Sequence, residues 1–311
     1  MAFSVGTLST YIDQQRLPLI TKAVFQAKSA SLFTKQVGIK SAAELNLFDT
    51  DAALQAATSC GWNVADAASG TTAFTKRTLT VLPIKIQEAL CPRTLEQYWM
   101  QTQLTQGSNY TGIPFEQQYA EQKALRIAEA IETAIWQGNA TVAVTGMNTL
   151  MQNASSTTVN GNPGAITTAV GITSANVSGI MANQYRLIPA ALIHRDDLIC
   201  YMGWDTFRTL VNGLVANNWF HYKVEQGNNG EIYYPGTNMR CVAVNGLNGT
   251  NRIYTTYQGN FFYGTDLLSD EEQFNLWYSQ DNDEVRFMAA FKMGVQMAYP
   301  DMVVQFRLST T

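Results

Sequence analysis

The sequence predicts an α+β fold, and three features carry that expectation: one long helix with an apolar stripe, a pair of alternating strand runs at the C-terminus, and a long apolar hairpin near the N-terminus. The helix spans about Pro114 to Gln137, with a proline at its first turn and Gly138-Asn139 as its stop. Ala120, Ala124, Ile127, Ala128, Ile131, Ala134 and Ile135 follow the i, i+3, i+4, i+7 spacing, so one stripe is buried. Gln122, Lys123, Arg126, Glu129 and Glu132 are assigned to the opposite, solvated or partner-facing side.

In the C-terminal runs, Val285, Phe287, Ala289 and Phe291 alternate with Glu284, Arg286, Met288 and Ala290. After Tyr299-Pro300-Asp301, Met302, Val304, Phe306 and Leu308 alternate with Gln305 and Arg307. Such a final hairpin must pair with an earlier sheet, and the expected place is beside the long helix.

The N-terminal hairpin lies between Ile39 and Pro92, with strand character over Glu44 to Phe48 and Phe74 to Ile86. Leu79 and Val81 share one face, whereas Ile84 and Ile86 take the other phase across Pro83, which places a bulge or bend at the proline. Before this hairpin, Leu8, Tyr11, Ile12, Ile20, Val24 and Phe25 read as an arm of short helices interrupted by Pro18.

The middle of the chain reads as a compact α/β region. Thr141 to Pro163 is a polar loop or irregular strand segment. Helical spacing covers Ser174 to Tyr185, and again Phe207 to Ala216 with Asp205 as the cap. Buried strands are expected at Ala190 to Ile193 and Leu198 to Met202. Short strands follow at Ile232 to Tyr234, Arg240 to Val244 and Arg252 to Tyr257, punctuated by Asn-Gly turns.

Composition restricts function. With 46% hydrophobic residues the chain can fold a sizeable core. Only 14% of its residues are charged, against roughly 25% in an average soluble domain. Amides and hydroxyls are cheaper to bury against a partner than unpaired charges, so this surface suits a subunit covered by neighbours. The net charge of −4 and the absence of a basic run give no general attraction to nucleic acid. Cys60, Cys91, Cys200 and Cys241 lack close pairing and read as buried free thiols. With only His194 and His221 to assist them, no metal site is expected. No apolar window reaches membrane-span length and no secretion signal is visible, which predicts synthesis in the cytoplasm and no membrane partner.

Catalysis has little support. His194-Arg195-Asp196 echoes a kinase loop without the glycine-rich loop or lysine that the chemistry needs. Asp281, Asn282, Asp283 and Glu284 lack the glycine and distal glutamate of a calcium loop. Glu271 and Glu272 show no partner that would separate their pKa values. No catalytic residue, cofactor or metal is therefore assigned.

Several segments resemble, in order and separation, the major capsid proteins of tailed bacteriophages with the Hong Kong 97-type fold. They are Gly112-Ile113-Pro114 leading into the helix that ends Ala134-Ile135-Trp136-Gln137-Gly138-Asn139; Asp196-Asp197-Leu198-Ile199-Cys200-Tyr201-Met202-Gly203 followed by Trp204-Asp205-Thr206-Phe207-Arg208; and Gly264-Thr265-Asp266 ahead of Val285-Arg286-Phe287 and Tyr299-Pro300-Asp301. The resemblance covers nearly the whole chain.

It implies an N-terminal arm over 1–40, an extended loop over 41–92, and a discontinuous peripheral domain over 93–140 and 281–311 with the spine helix at about 114–137. An axial domain over 141–280 completes the set. It also implies self-assembly into hexamers and pentamers of an icosahedral or prolate shell enclosing double-stranded DNA, a portal protein, and residence in the virion. Because the arm begins at Met1, a separate scaffolding protein is the expected helper. Relatives that crosslink their subunits do so through a lysine of the extended loop, where Lys76 and Lys85 stand.

The apolar residues of the hairpin, Trp62, Phe74, Leu79, Val81, Ile84 and Ile86, are expected to have nothing of their own to pack against at its tip and to be sheltered by a neighbouring subunit. Trp62, Phe74 and Lys76 are candidate contacts, while Arg77, Lys85, Arg126 and Glu129 would set register across the contact. Two rival readings accompany this one: an encapsulin-type nanocompartment shell of the same fold, and a soluble surface-binding or adhesion module.

Overall fold

The computed structural model describes residues 27–50, 72–91, 115–139, 144–162, 166–218, 230–266, 273–282 and 284–309. The arm before residue 27, Cys60, Trp62, Pro114, His221, Glu271, Glu272 and Asp283 lie outside the described residues.

The alternation after Asp283 forms a strand of 14 residues, Glu284–Met297, whose side chains alternate between buried and half-buried. We label the strands in chain order: β1 Thr34–Val37, β2 Ala42–Thr50, β3 Thr72–Thr80, β4 Leu82–Leu90, β5 Val159–Asn160, β6 Leu198–Met202, β7 Glu231–Tyr233, β8 Arg240–Ala243, β9 Ile253–Tyr257, β10 Phe261–Thr265, β11 Gln273–Ser279, β12 Glu284–Met297 and β13 Val304–Phe306. The helices are α1 Lys28–Leu32, α2 Phe115–Gln137, α3 Met147–Asn153, α4 Val177–Arg186 and α5 Trp204–Ala216.

Strand β12 organises a five-stranded sheet. Met293 pairs with both Leu82 and Thr265, and residues 285–290 pair with both β4 and β11. Strands β10 and β11 therefore lie end to end along one edge of β12, and β4 takes the other. Strand β1 adds in parallel to β10. The last strand corrects the expected C-terminal hairpin: β13 pairs with β9 and β5 in a separate six-stranded sheet of order β5-β13-β9-β6-β8-β7. Tyr299-Pro300-Asp301 lies at a short 3₁₀ turn over Pro300–Met302 between the two sheets, not at a hairpin turn.

Strand β6 explains why its sequence is apolar without alternation. Leu198, Cys200 and Met202 face a core closed by α4 and α5, while Ile199 and Tyr201 face the core shared with α2. A strand covered on both faces needs apolar residues at every position. Phe33, Trp136, Tyr201 and Phe261 form an aromatic hub joining the chain before β1 to α2, β6 and β10; Trp136 also stacks on Tyr254 of β9 at 5.7 Å.

Other expectations need correction. Ala190 to Ile193 is a turn, held by Leu192 N donating to the Pro189 carbonyl at 2.8 Å and Arg195 N to the Leu192 carbonyl at 3.0 Å. The polar stretch after Thr141 contains helix α3, anchored by the fully buried Met147 and Met151. Gly203, not Asp205, occupies the cap of α5. Asp205 instead accepts from Thr206 N at 2.8 Å and Gly249 N at 2.9 Å, tying the helix start to a distant turn. Cys200 and Cys241 face each other, buried, across β6 and β8, as expected; Cys91 is exposed.

Glu132 is a further correction, being only 3% exposed. Helix α1 lies over that side of α2, and the Ser29 hydroxyl and amide donate to the two Glu132 oxygens at 2.5 and 2.9 Å. The Trp136 indole N–H donates to the Ser29 hydroxyl at 2.6 Å. Burial pushes the Glu132 carboxyl up from the usual carboxylate range, and the Ser29 donors, the Gly246 N–H and the Lys28 charge oppose that rise.

Candidate assembly surface

Strands β2 and β3 pair antiparallel from Ala42↔Thr80 to Thr50↔Thr72, forming a two-stranded finger. An isolated two-stranded ribbon is marginal in water, so what covers it decides its stability. At the root, Leu45, Leu79, Val81 and Ile39 form a small core with Phe262 against it. This root crosses the sheet over a pair of glycines, Gly264↔Gly294, in register on β10 and β12. A Cβ at Gly294 would collide with the Thr80 carbonyl, and one at Gly264 would crowd Leu79, Val81 and Ile39. Gln296 Nε2 donates to the Thr78 carbonyl at 2.8 Å, and Lys292 Nζ to the Lys40 carbonyl at 3.2 Å.

The bulge or bend expected at Pro83 falls two residues earlier, at Val81 between β3 and β4, where the Val81 N–H still bonds the Ser41 carbonyl at 2.8 Å, one rung beyond Ala42↔Thr80 in the same register. Pro83 sits within β4, which among the described residues is paired on one side only, by β12, a setting that tolerates a missing N–H. Leu79 and Val81 take one face and pack in the finger core, while Ile84 and Ile86 pack on the main core, so these four are covered by their own chain and not by a neighbour as expected.

Beyond the root the cover ends. Residues 48–50 and 72–76 are exposed on both faces of the ribbon. Phe48 and Phe74 pair in register with ring centroids 5.2 Å apart, yet Phe48 is 54% and Phe74 is 77% exposed. Among the described residues, the Tyr299 hydroxyl ties this half to the body by donating to the Phe48 carbonyl at 3.2 Å. Two exposed phenylalanines side by side on a strand ribbon are a site for association.

The structure brings some of the sequence-selected residues together and separates others. Phe74 and Lys76 share the outer finger, where Lys76 Nζ meets Glu44 at 2.6 Å. Arg77 is half-buried at the root, opposite Leu45. Lys85 is exposed on β4, in register with Ala290 of the five-stranded sheet. Arg126 and Glu129 lie on the exposed side of α2, paired to each other at 2.8 Å. Trp62 lies outside the described residues. Two surface residues were not selected from the sequence: Phe48, whose partnership with Phe74 depends on hairpin register, and Leu125, 45% exposed beside Arg126.

Among the described residues, no helix is long and apolar enough to cross a membrane, and no group of three or more His, Cys, Asp or Glu could hold a metal ion. No protein-family model matches this sequence, and no curated protein matches it.

Solved structures do match. The procapsid of satellite phage P4, including its size-determination protein, is similar over 94% of this chain and 99% of the matched one, with a TM-score of 0.56 at 10% identity. A structure from Microbacterium phage Oxtober96 matches with a TM-score of 0.57 at 10% identity, covering 91% of both chains. The virus-like particle from Pyrococcus furiosus matches with a TM-score of 0.51 at 7% identity over 94% of this chain and 98% of that one. The chain has the fold of shell-forming subunits, the Hong Kong 97-type capsid fold.

Proposed function

We propose that this chain is the major capsid protein of a tailed bacteriophage, assembling into hexamers and pentamers of a shell around double-stranded DNA. The observation that carries the reading is a finger whose root is packed by its own chain and whose outer half exposes Phe48 and Phe74, on a fold shared with shell subunits. The occupant that fits is a second copy. A shell subunit meets the same neighbours at every position, so an apolar finger is sheltered once the ring closes. Interfaces above about 2,000 Å² suit such an obligate assembly.

In this reading 1–40 is the arm, 41–92 the extended loop, 93–140 with 281–311 the peripheral domain, and 141–280 the axial domain that meets its copies around each ring; the two domains exchange strands, β13 joining the six-stranded sheet and β10 and β11 the five-stranded one. Lys85, Arg126, Glu129 and the exposed Leu125 are the candidate contacts on the body of the subunit, with Trp62, Phe74, Lys76 and Arg77 on the loop. The protein acts without catalysis or cofactor and resides in the virion after assembly in the host cytoplasm. A separate scaffolding protein and a portal protein are its expected helpers. DNA is enclosed by a wall of net negative charge that does not grip it.

The similarity to the Pyrococcus furiosus particle supports a second reading, a shell that encloses protein cargo. Electron microscopy of the expressed chain, alone and with a scaffolding protein, tests both. Round shells are expected, and a monodisperse monomer under every condition would overturn them. Terminase and portal genes beside this one favour the phage, whereas a cargo-enzyme gene favours the compartment.

A further inference from the structure

Past the end of β13 the six-stranded sheet closes around a cavity of about 460 Å³, lined among others by Gln152, Asn160, Asn162, Arg252, Arg307 and Ser309. No carboxylate is among its described lining residues.

Arg252 is half-buried and held by neutral acceptors. Its guanidinium donates to the Asn148 carbonyl at 3.0 Å and to the Tyr254 hydroxyl at 3.3 Å. That hydroxyl donates onward to Asn148 Oδ1 at 2.8 Å. The side chain is therefore fixed in place while its charge stays uncompensated. Arg307 lies on the exposed rim, and Asn162 Nδ2 secures its backbone by donating to the Arg307 carbonyl at 2.8 Å. Among the described residues neither arginine makes an ion pair.

Two guanidinium groups lining one partly enclosed cavity repel each other and lose hydration, a cost that a bound anion reverses. Guanidinium forks match the oxygens of a tetrahedral oxyanion, and the Gln152 and Asn160 side-chain amides supply neutral donors for its remaining lone pairs. Among the described lining residues Leu308 is the one apolar side chain and none is aromatic, so none of them would stack on an aromatic base. From the uncompensated arginine pair and the neutral polar wall, we propose that this cavity is a binding site for a phosphate-class oxyanion, either inorganic phosphate or a non-aromatic phosphomonoester. The inference stands apart from the shell reading, because it rests on the cavity alone.

The test uses the full chain and inorganic phosphate, with chloride at equal ionic strength as the control. Phosphate is expected to raise the thermal midpoint by about 2–5 °C at saturation, and titration calorimetry to count one phosphate per chain. Arg307→Gln should weaken phosphate binding at least about tenfold. In phosphate-free buffer the same variant should melt no lower than the parent, because a like-charge repulsion has been removed. Arg307 is exposed, so this variant keeps the fold even if Arg252→Gln does not. Equal responses to phosphate and chloride, or an undiminished phosphate response in Arg307→Gln, would overturn the proposal.

Discussion

Strands β6 and β3 both alternate between two faces, but only β6 finds cover for both within its own chain. Every residue of β6 is buried, between the helices of the six-stranded sheet on one side and the aromatic hub on the other. Along β3 the condition changes within five residues: Leu79 is fully buried over Gly264, while Phe74 stands 77% exposed. The difference teaches that β6 is covered on both faces by other parts of its own chain, whereas the finger is covered only where the five-stranded sheet passes beneath it. Apolar surface in the first contributes to folding. In the second it remains available for association.

The largest expected effect breaks this comparison at its exposed end. Phe48→Asp with Phe74→Asp should abolish particle formation, read by electron microscopy, while the unfolding free energy of the unassembled chain in urea changes by no more than about 0.5 kcal/mol. Loss of stability in the monomer would mean that the finger packs on its own body. The second test works at the buried end. Leu210→Ala on α5 removes a fully buried side chain from the core of the six-stranded sheet and should cost about 2–5 kcal/mol in urea unfolding. Particles formed by the variant at low temperature should keep their normal shape.

A smaller effect is expected where the arm meets the spine helix. The Glu132 carboxyl is raised by burial, so the native state takes up its proton at a higher pH than the unfolded chain does. Its charged form therefore costs stability above the folded pKa, and that cost is relieved as the pH falls through it. Lys28, half-buried and itself paired with Glu231 at 3.6 Å, offsets part of the charge. Glu132→Gln keeps an acceptor for Ser29 and removes the titration. The variant should be more stable than the parent near neutral pH by about 1 kcal/mol, and the gap should close as the pH falls below that of the buried carboxyl. A gap that widens on acidification, in denaturant midpoints measured from pH 7 to 4, would reverse the assigned sign.

Much of the fold was legible. The i, i+3, i+4 stripe located α2, with Gly138 at its end, because helix period and terminus chemistry are local. The alternation of Val285, Phe287, Ala289 and Phe291 located β12 for the same reason. The C-terminal hairpin was misread because alternation reports which face a residue takes, not which sheet receives the strand. Met302 to Phe306 alternates like β12, yet β13 is claimed by β9 and β5. The sequence assigns Glu132 to a solvated or partner-facing side because a helical wheel sees only its own helix, and the element that covers Glu132 is α1, whose Ser29 is 103 residues away.

Of the candidate surface, Phe74 and Lys76 could be named from a strand pattern near the chain's N-terminal third. Phe48 could not, since its importance appears only when the register sets it opposite Phe74. The arginine pair left no sequence signal at all, as Arg252 and Arg307 are 55 positions apart and meet through the pairing of β13 with β9.

The sequence by itself determined the α+β class, the spine helix, most strands, and the presence of an apolar finger with too little of its own to pack against. These follow from periodicity and turn chemistry, which act over a few residues. Only the tertiary structure decided where that finger stops being sheltered, which sheet receives each strand, and which charges end up without a counter-charge. Those outcomes depend on contacts between residues far apart in the chain, and no local pattern records how much surface a distant segment will cover.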